Sequence, residues 1–447
     1  MQREFRPGPR NSPDGLRVYL PLIIVIAMLA LLRAHGASQP SAAQGPLTES
    51  DDAFLNDLSH AAFTYFWEQS DPGTGLVRDR AHADGTSVGV ASIAATGFGL
   101  TAMCIGAQRQ WITADLARAR VRTTLRFFAF RAFQEHGWFY HWMNPATGAR
   151  EWKSEVSSID TALLLAGVLT ARQYFASDAE IARLATRIYS RVDFPWMLNG
   201  DPMLLSMGWT PENGFIQNRW DHYCELMILY ILAIGSPTQA ISPASWYAWA
   251  RPEISYAGYT YITGGPLFIH QYSHAWVDFR GRRDHTQTDY FANSVAATRA
   301  HRAFCLSLAR QFPASYSADL WGITASDSAK GYLAWGGPPM DPEIDGTLTP
   351  SAPGGSLMFS PEICIPALRA MHRQFGSRVY GRYGFVDAFN PTTGWTDPDV
   401  LGIDLGITLL SAENARTGSV WTWFMANPEP VHALELVGLK SKLKLSH

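Results

Sequence analysis

The sequence predicts an all-α fold in which two concentric layers of helices close into an α/α toroid, and three observations predict it. Helical periodicity dominates from about residue 50 to the carboxyl end. Some of these helices are apolar nearly all round while others carry a charged face, which separates an inner layer from an outer one. No fixed repeat period appears, so a solenoid of short motifs is not supported. The 447 residues are 47% apolar, 13% aromatic and only 17% charged, against roughly a quarter charged in an ordinary soluble protein. Disorder and fibrous repeats are excluded by that composition. The formal net charge of −3 leaves no basic footprint for nucleic acid, so an uncharged substrate is the first to consider.

The amino terminus comes first. Arg3, Arg6, Arg10 and Arg17 precede an uncharged, mostly apolar run from Val18 to Leu32, which is followed by small residues. The run is shorter than the roughly 20 residues a spanning helix needs, and the pattern matches a secretory signal with Ser41-Ala42-Ala43 as the cleavage candidate. An uncleaved anchor bounded by Arg33 is the alternative. Residues 1–45 are therefore expected to be a signal or anchor plus linker, and residues 46–447 an exported domain, periplasmic or secreted, with no membrane contact of its own. Cys104, Cys224, Cys305 and Cys364 are far apart in apolar contexts without metal spacing, which favours buried thiols over a disulfide.

Candidate helices follow at about 50–69, 88–107, 113–133, 157–176, 178–193, 221–235, 243–250, 289–312, 360–376, 402–416 and 420–437. Spacers between them, such as Asn144-Pro145-Ala146-Thr147-Gly148, are rich in turn formers. Ala162 to Leu169 and Leu226 to Ile234 have no polar face and must be surrounded by other elements. The segment 113–133, with Arg118, Arg120, Arg122 and Arg126, belongs outside.

The chemistry concentrates where the apolar helices begin. Glu225 opens the run 226–234, and burying a carboxylate there raises its pKa, as a general acid requires. The competing reading is a first-turn Glu held down by the helix dipole. Glu155 repeats the pattern ahead of the other apolar helix. Asp160 stands three residues after Ser157, the spacing of a capping box, and capping is its expected task. Asp278 with Arg280 reads as an ion pair, Asp345-Gly346 as a turn, and Glu413 as a helix-end group that either caps or touches substrate. His270, His274 and His285 lack zinc-site spacing, so no metal or cofactor is expected. Loop tryptophans, among them Trp138, Trp142, Trp152, Trp209, Trp220, Trp321, Trp335 and Trp395, suit a cleft in which indole stacks on the apolar face of a sugar.

The run from Trp220 to Pro237 resembles the bacterial glucoamylase-like domain. So do Gly265-Pro266-Leu267-Phe268-Ile269-His270-Gln271, Asp278-Phe279-Arg280-Gly281, Trp321 to Asp327, Asp345-Gly346-Thr347, Tyr383-Gly384-Phe385 with Phe389-Asn390-Pro391, and Glu413-Asn414. The match runs in order from about Phe54 to near the carboxyl end. The resemblance implies an (α/α)6 barrel, action on β-1,2-linked glucan and inverting hydrolysis without metal. It places the carboxylates of Glu155, Asp160 and Glu225 in or near the cleft. Glu225 is then the expected acid, with Glu155 or Asp160 orienting or activating water. Trp152, Trp220, Tyr223, Arg280, Trp321, Asp345 and Glu413 are the candidate sugar contacts. Two rival readings remain open here, a glucan-binding accessory protein without turnover and an exo-acting α-glucosidase.

Overall fold

The computed structural model describes residues 47–262, 265–338 and 343–440, so the expected signal or anchor segment lies outside the described residues. Its helices are α1 (Glu49–Glu68), α2 (Ile93–Gln108), α3 (Ala114–Phe130), α4 (Ser158–Tyr174), α5 (Ala179–Ser190) and α6 (Phe194–Leu198). After these come α7 (Met227–Ile234), α8 (Ser245–Ala248), α9 (Tyr272–Trp276), α10 (Tyr290–Ser307) and α11 (Ser351–Gly355). The last four are α12 (Pro361–Phe375), α13 (Gly402–Arg416), α14 (Ser419–Met425) and α15 (Pro428–Leu436). None of them is long and apolar enough to cross a membrane.

Six helices form a closed inner ring. Helix α2 packs on α4, α4 on α7, α7 on α9, and α13 closes the circle against α2 with α11 and α9 beside it. The others lie outside, as α3 and α5 do against α2 and α4. This is the (α/α)6 barrel. Composition decides the layering: every residue of α7 is buried, whereas the outer α5 buries only Ile181, Leu184, Ala185, Ile188 and Tyr189 along one stripe. The crossing of α2 and α4 brings Gly97 and Gly167 against the partner backbone. A Cβ on either would collide with the partner helix backbone, so only glycine permits that approach.

Three differences from the expected elements have physical causes. The helix expected over 221–235 starts only at Met227, because residues 221–226 form bends and turns that carry Glu225. The one expected over 420–437 breaks into α14 and α15 at Asn427-Pro428, since Pro cannot continue a helix but starts one well. The short inner helices α9 and α11 have five residues each and show no periodicity to read.

The starts of the inner helices gather at one end. Tyr272 of α9 is in electrostatic range of Asp160 in α4, Glu225 before α7 and Asp404 in α13, and Ser351 of α11 lies beside Asp404. The barrel therefore has an N-terminal and a C-terminal mouth. Short strands stand directly before three of these helices. Ala91–Ser92 pairs with Trp142–Met143 before α2, Val156–Ser157 with Gly208–Thr210 before α4, and Asp399–Leu401 with Arg80–His82 before α13. These ladders fix the loops of the N-terminal mouth. The opposite mouth is filled by α14, which touches α4, α9 and α13 from different sides of the ring. All four cysteines are free thiols, three buried and Cys224 half-buried.

Candidate active site

Glu225 sits just before α7, whose N-terminus has no side-chain cap. Ser273 Oγ donates to the Glu225 carbonyl at 2.7 Å and anchors the turn. Burial pushes the Glu225 carboxyl up to about 7; the charge of nearby Asp160 adds to this, and hydrogen bonds from its own backbone and the Cys224 thiol oppose it. The desolvation reading therefore prevails over the helix-dipole reading, because the dense apolar surroundings of α7 outweigh the few local donors.

Asp160 lies in the first turn of α4. Its backbone N–H donates to Ser157 Oγ at 3.2 Å, and Ser157 Oγ donates in turn to Asp160 Oδ2 at 2.5 Å, so the expected cap is present. Its other oxygen faces His141 Nε2 at 3.5 Å, while His141 Nδ1 lies 2.9 Å from Glu155 Oε1. Burial works against charge on the Glu155 carboxyl, but the hydrogen bond and charge of His141 hold it below the usual range. The His141 ring is pushed down by burial and up by Asp160, Glu155 and Asp79, and the acids win. A metal ion would have to displace one carboxylate from a ring nitrogen that already faces it. The trio is thus an ion cluster first.

Across the mouth stands a group of acids drawn from four separate segments. Arg80 reaches Asp79 at 3.3 Å, Asp327 at 2.8 Å and Asp399 at 3.5 Å. Asp387 accepts from the Asp327 N–H at 2.7 Å, and its carboxyl meets that of Asp404 in the first turn of α13. Burial raises both; the charge of Asp404 adds to the rise at Asp387, whereas the hydrogen bond from Asp387 opposes the rise at Asp404, which reaches about 6, as expected for two carboxyls sharing a proton. Burial also pushes Asp397 up to about 7, with the neighbouring acids adding to it. Oxygens of Asp327, Asp387 and Asp397 lie within 4.8 Å of one another, a donor set that can hold a hard cation.

Of the expected sugar contacts, only Trp152 stands free at the mouth, 66% exposed and tilted against Trp142 at 5.6 Å between centroids. Trp142 in turn stacks on His141 at 3.9 Å. The other six lie elsewhere or are engaged. Trp220 is buried with Nε1 donating to Ser158 Oγ at 2.8 Å. Tyr223 is buried with its hydroxyl at 3.1 Å from His270 Nδ1, and Trp321 is fully buried. Asp345 is a turn residue, accepting from Thr347 N–H at 3.0 Å and from Asn390. Glu413 and Arg280 belong to the opposite mouth. Glu413 closes the end of α13, paired with Arg109 at 2.8 Å, and Arg280 follows α9, paired with Asp278 at 2.8 Å and lying over Trp421 of α14 at 4.0 Å. Aromatic rings in loops give no sign of depth, which is why Trp220, Tyr223 and Trp321 were indistinguishable from Trp152 in sequence.

Sequence reasoning missed His141, Asp79, Asp387, Asp397, Asp404 and Tyr332. Tyr332 is 61% exposed and lies within electrostatic range of Asp404, Asp387 and Glu225. Asp404 carried a readable signal, since it precedes the apolar run Leu405 to Leu410 as Glu225 precedes its own.

Residues 217–428, which include Glu225, match the family model Glycoamylase, described as "Putative glucoamylase". An endo-β-1,2-glucanase from Chitinophaga pinensis, solved with sophorotriose and glucose, is 30% identical; the match covers 88% of this chain and 99% of that one, with a TM-score of 0.81. The chain belongs to this glucoamylase-like family. An exo-β-1,2-glucooligosaccharide sophorohydrolase of Parabacteroides distasonis is also 30% identical, over 90% of this chain, and the chain spans 59% of the length of that curated relative. At 12% identity and a TM-score of 0.64, an endo-β-1,2-glucanase of Talaromyces funiculosus shares the glucoamylase-like fold.

Proposed function

We propose that the chain is an exported glycoside hydrolase that cleaves β-1,2-glucan by acid/base catalysis, with Glu225 as general acid. One observation carries this reading: a carboxyl that burial lifts to about 7 stands at the barrel mouth within electrostatic range of Asp160. At neutral pH such a group holds a proton it can give to the glycosidic oxygen as the bond breaks. Water attacks the anomeric carbon from the other face and loses its proton to Glu155 or Asp160. The relatives' substrates support the β-1,2 linkage, and the scarcity of charge suits a neutral glucan. Inversion follows if the base activates water rather than attacking the sugar.

The test uses linear β-1,2-glucan. Glu225→Gln is expected to lower the release of reducing ends by about 10³-fold or more while the protein stays folded. Near-normal activity would remove Glu225 from the mechanism. The rate of the unaltered protein should fall as pH rises through about 7, because the acid must be protonated to act. Comparing Glu155→Gln, Asp160→Asn and Asp404→Asn separates the candidate bases, and NMR of the first anomer formed reads inversion directly. Product lengths on linear and cyclic glucans separate endo from exo action. Glucose as sole product from maltooligosaccharides would favour the α-glucosidase reading, and binding without product the accessory one.

A further inference from the structure

We infer that His141 is a positioning residue: its ring, charged and locked in plane, clamps Glu155 and Asp160 as fixed carboxylates at the mouth where Glu225 stands. This inference rests on the hydrolase reading of the site. Four observations carry it.

The first is placement. His141 belongs to the loop after α3, and its N–H donates to the Glu155 carbonyl at 2.9 Å while its own carbonyl accepts from Ile93 N–H at 3.3 Å. The residue is thus tied both to the segment that bears Glu155 and to the start of α2. The second is that the two ring nitrogens serve different acids, Nδ1 at 2.9 Å from Glu155 Oε1 and Nε2 at 3.5 Å from Asp160 Oδ1. The Glu155 contact is a hydrogen bond and the Asp160 contact an ion-pair distance; a neutral ring carries one N–H and no charge, so only the imidazolium can present an N–H to Glu155 and a charged N–H toward Asp160 as well. The third is orientation, because the ring stacks on Trp142 within 16° of parallel and cannot swing away from either acid without leaving that face. The fourth is charge. Glu155, Asp160 and Asp79 all act on the ring. The nearby cations are committed elsewhere, Arg150 to Glu212 at 2.7 Å and Arg80 to Asp79 and Asp327.

The clamp gives its two acids unequal freedom. Asp160 has Oδ2 held by Ser157 and Oδ1 by His141, whereas Glu155 engages His141 through Oε1. Glu155 Oε2 lies outside the clamp. A substrate stacked on Trp152 would lie at the outer end of a continuous line, Trp152 to Trp142 to His141, that ends on these carboxylates.

The experiment compares His141→Phe, which keeps a ring against Trp142 but removes both N–H groups, with His141→Gln, which keeps one donor. Kinetics on linear β-1,2-glucan should show kcat reduced about 100-fold in His141→Phe with KM within about threefold, and partial recovery in His141→Gln. The pH profile supplies the readout that a packing role would not move. Removing a cation raises the pKa of the carboxylates it faced, so the acidic limb of kcat/KM should move up by about one unit. The alkaline limb, set by Glu225, should stay near its place. An unmoved acidic limb in folded His141→Phe and His141→Gln overturns the inference. Imidazole ¹⁵N shifts of the unaltered protein give a test without turnover: both nitrogens protonated at pH 7 support the clamp, and a neutral ring overturns it. Should the unaltered protein release no reducing ends, the hydrolase reading fails, and the ¹⁵N shifts still decide whether the clamp exists.

Discussion

The two mouths of the barrel hold comparable acids in opposite circumstances. At the C-terminal mouth each acid has its own arginine: Glu413 with Arg109, Glu429 with Arg172 at 2.5 Å, Asp278 with Arg280. At the N-terminal mouth Asp79, Asp327 and Asp399 share Arg80, and among the described residues no ion pair joins Glu225, Asp387, Asp397 or Asp404 to a cation. Helix electrostatics begins the sorting. Inner helices whose starts gather at one mouth collect partial negative charge at the other, where Arg109 caps α2 and Arg172 ends α4, and partial positive charge at the first, where Asp160 and Asp404 sit in first turns. Burial then completes it by raising the acids that lack partners. Acids paired with an arginine of their own hold the barrel together, and those without one, the carboxylates beside His141 included, are available for proton transfer.

The largest effect that would break this contrast is at the paired end. Glu413 is fully buried, accepts two hydrogen bonds from Arg109 and one from Thr417, and links the end of α13 to the end of α2. Glu413→Ala should cost about 3 kcal/mol in denaturant unfolding, toward the lower end for a broken buried pair because Arg109 can still reach water. Hydrolysis per folded molecule should be unchanged. A large loss of kcat in the folded variant would bring Glu413 back to the substrate.

Next comes an effect of comparable size and opposite sign. The Glu225 carboxyl has a folded pKa raised to about 7, so the folded state binds more protons than the unfolded chain between about pH 4.5 and 7. Its contribution is fully present below the unfolded value and is lost as pH rises through about 7. Glu225→Gln, which never ionises, should therefore be more stable than the unaltered protein by roughly 3 kcal/mol at pH 8, and equal to it near pH 4. Unfolding curves at the two pH values check this. The same substitution that removes activity would then strengthen the fold, the reverse of Glu413→Ala.

How much of this contrast was legible in the sequence depends on distance along the chain. The layering was readable because an all-apolar helix such as α7 has nowhere to be but inside, and the cap at Ser157 and Asp160 because it spans four residues. Glu225 was readable for the same local reason, an acid abutting an uncharged run. The pairing that separates the two mouths was not, because Arg109 and Glu413 are 304 positions apart and Asp327 meets Arg80 across 247. Nor was depth readable for Trp220, Tyr223 or Trp321, since an indole or phenol has the same composition in a core as at a cleft. His141 gave no signal at all, because its partners lie 14 and 19 residues on, beyond a turn whose geometry no local pattern encodes.

Two smaller effects sharpen the contrast. Trp152→Ala removes an exposed indole from the N-terminal mouth and should raise KM about fivefold, roughly 1 kcal/mol of stacking, with kcat little changed.

Arg280→Ala should do less than any of these. Its guanidinium is 48% exposed and pairs with the adjacent loop residue Asp278, so solvent screening leaves the pair about 0.5 kcal/mol or less, and the face it covers on Trp421 belongs to the helix that fills the C-terminal mouth. Stability should fall only slightly, and KM for β-1,2-glucan should stay within twofold. A clear rise in KM would mean that substrate reaches the far mouth, and the division between a structural end and a reacting end would have to be redrawn around that residue.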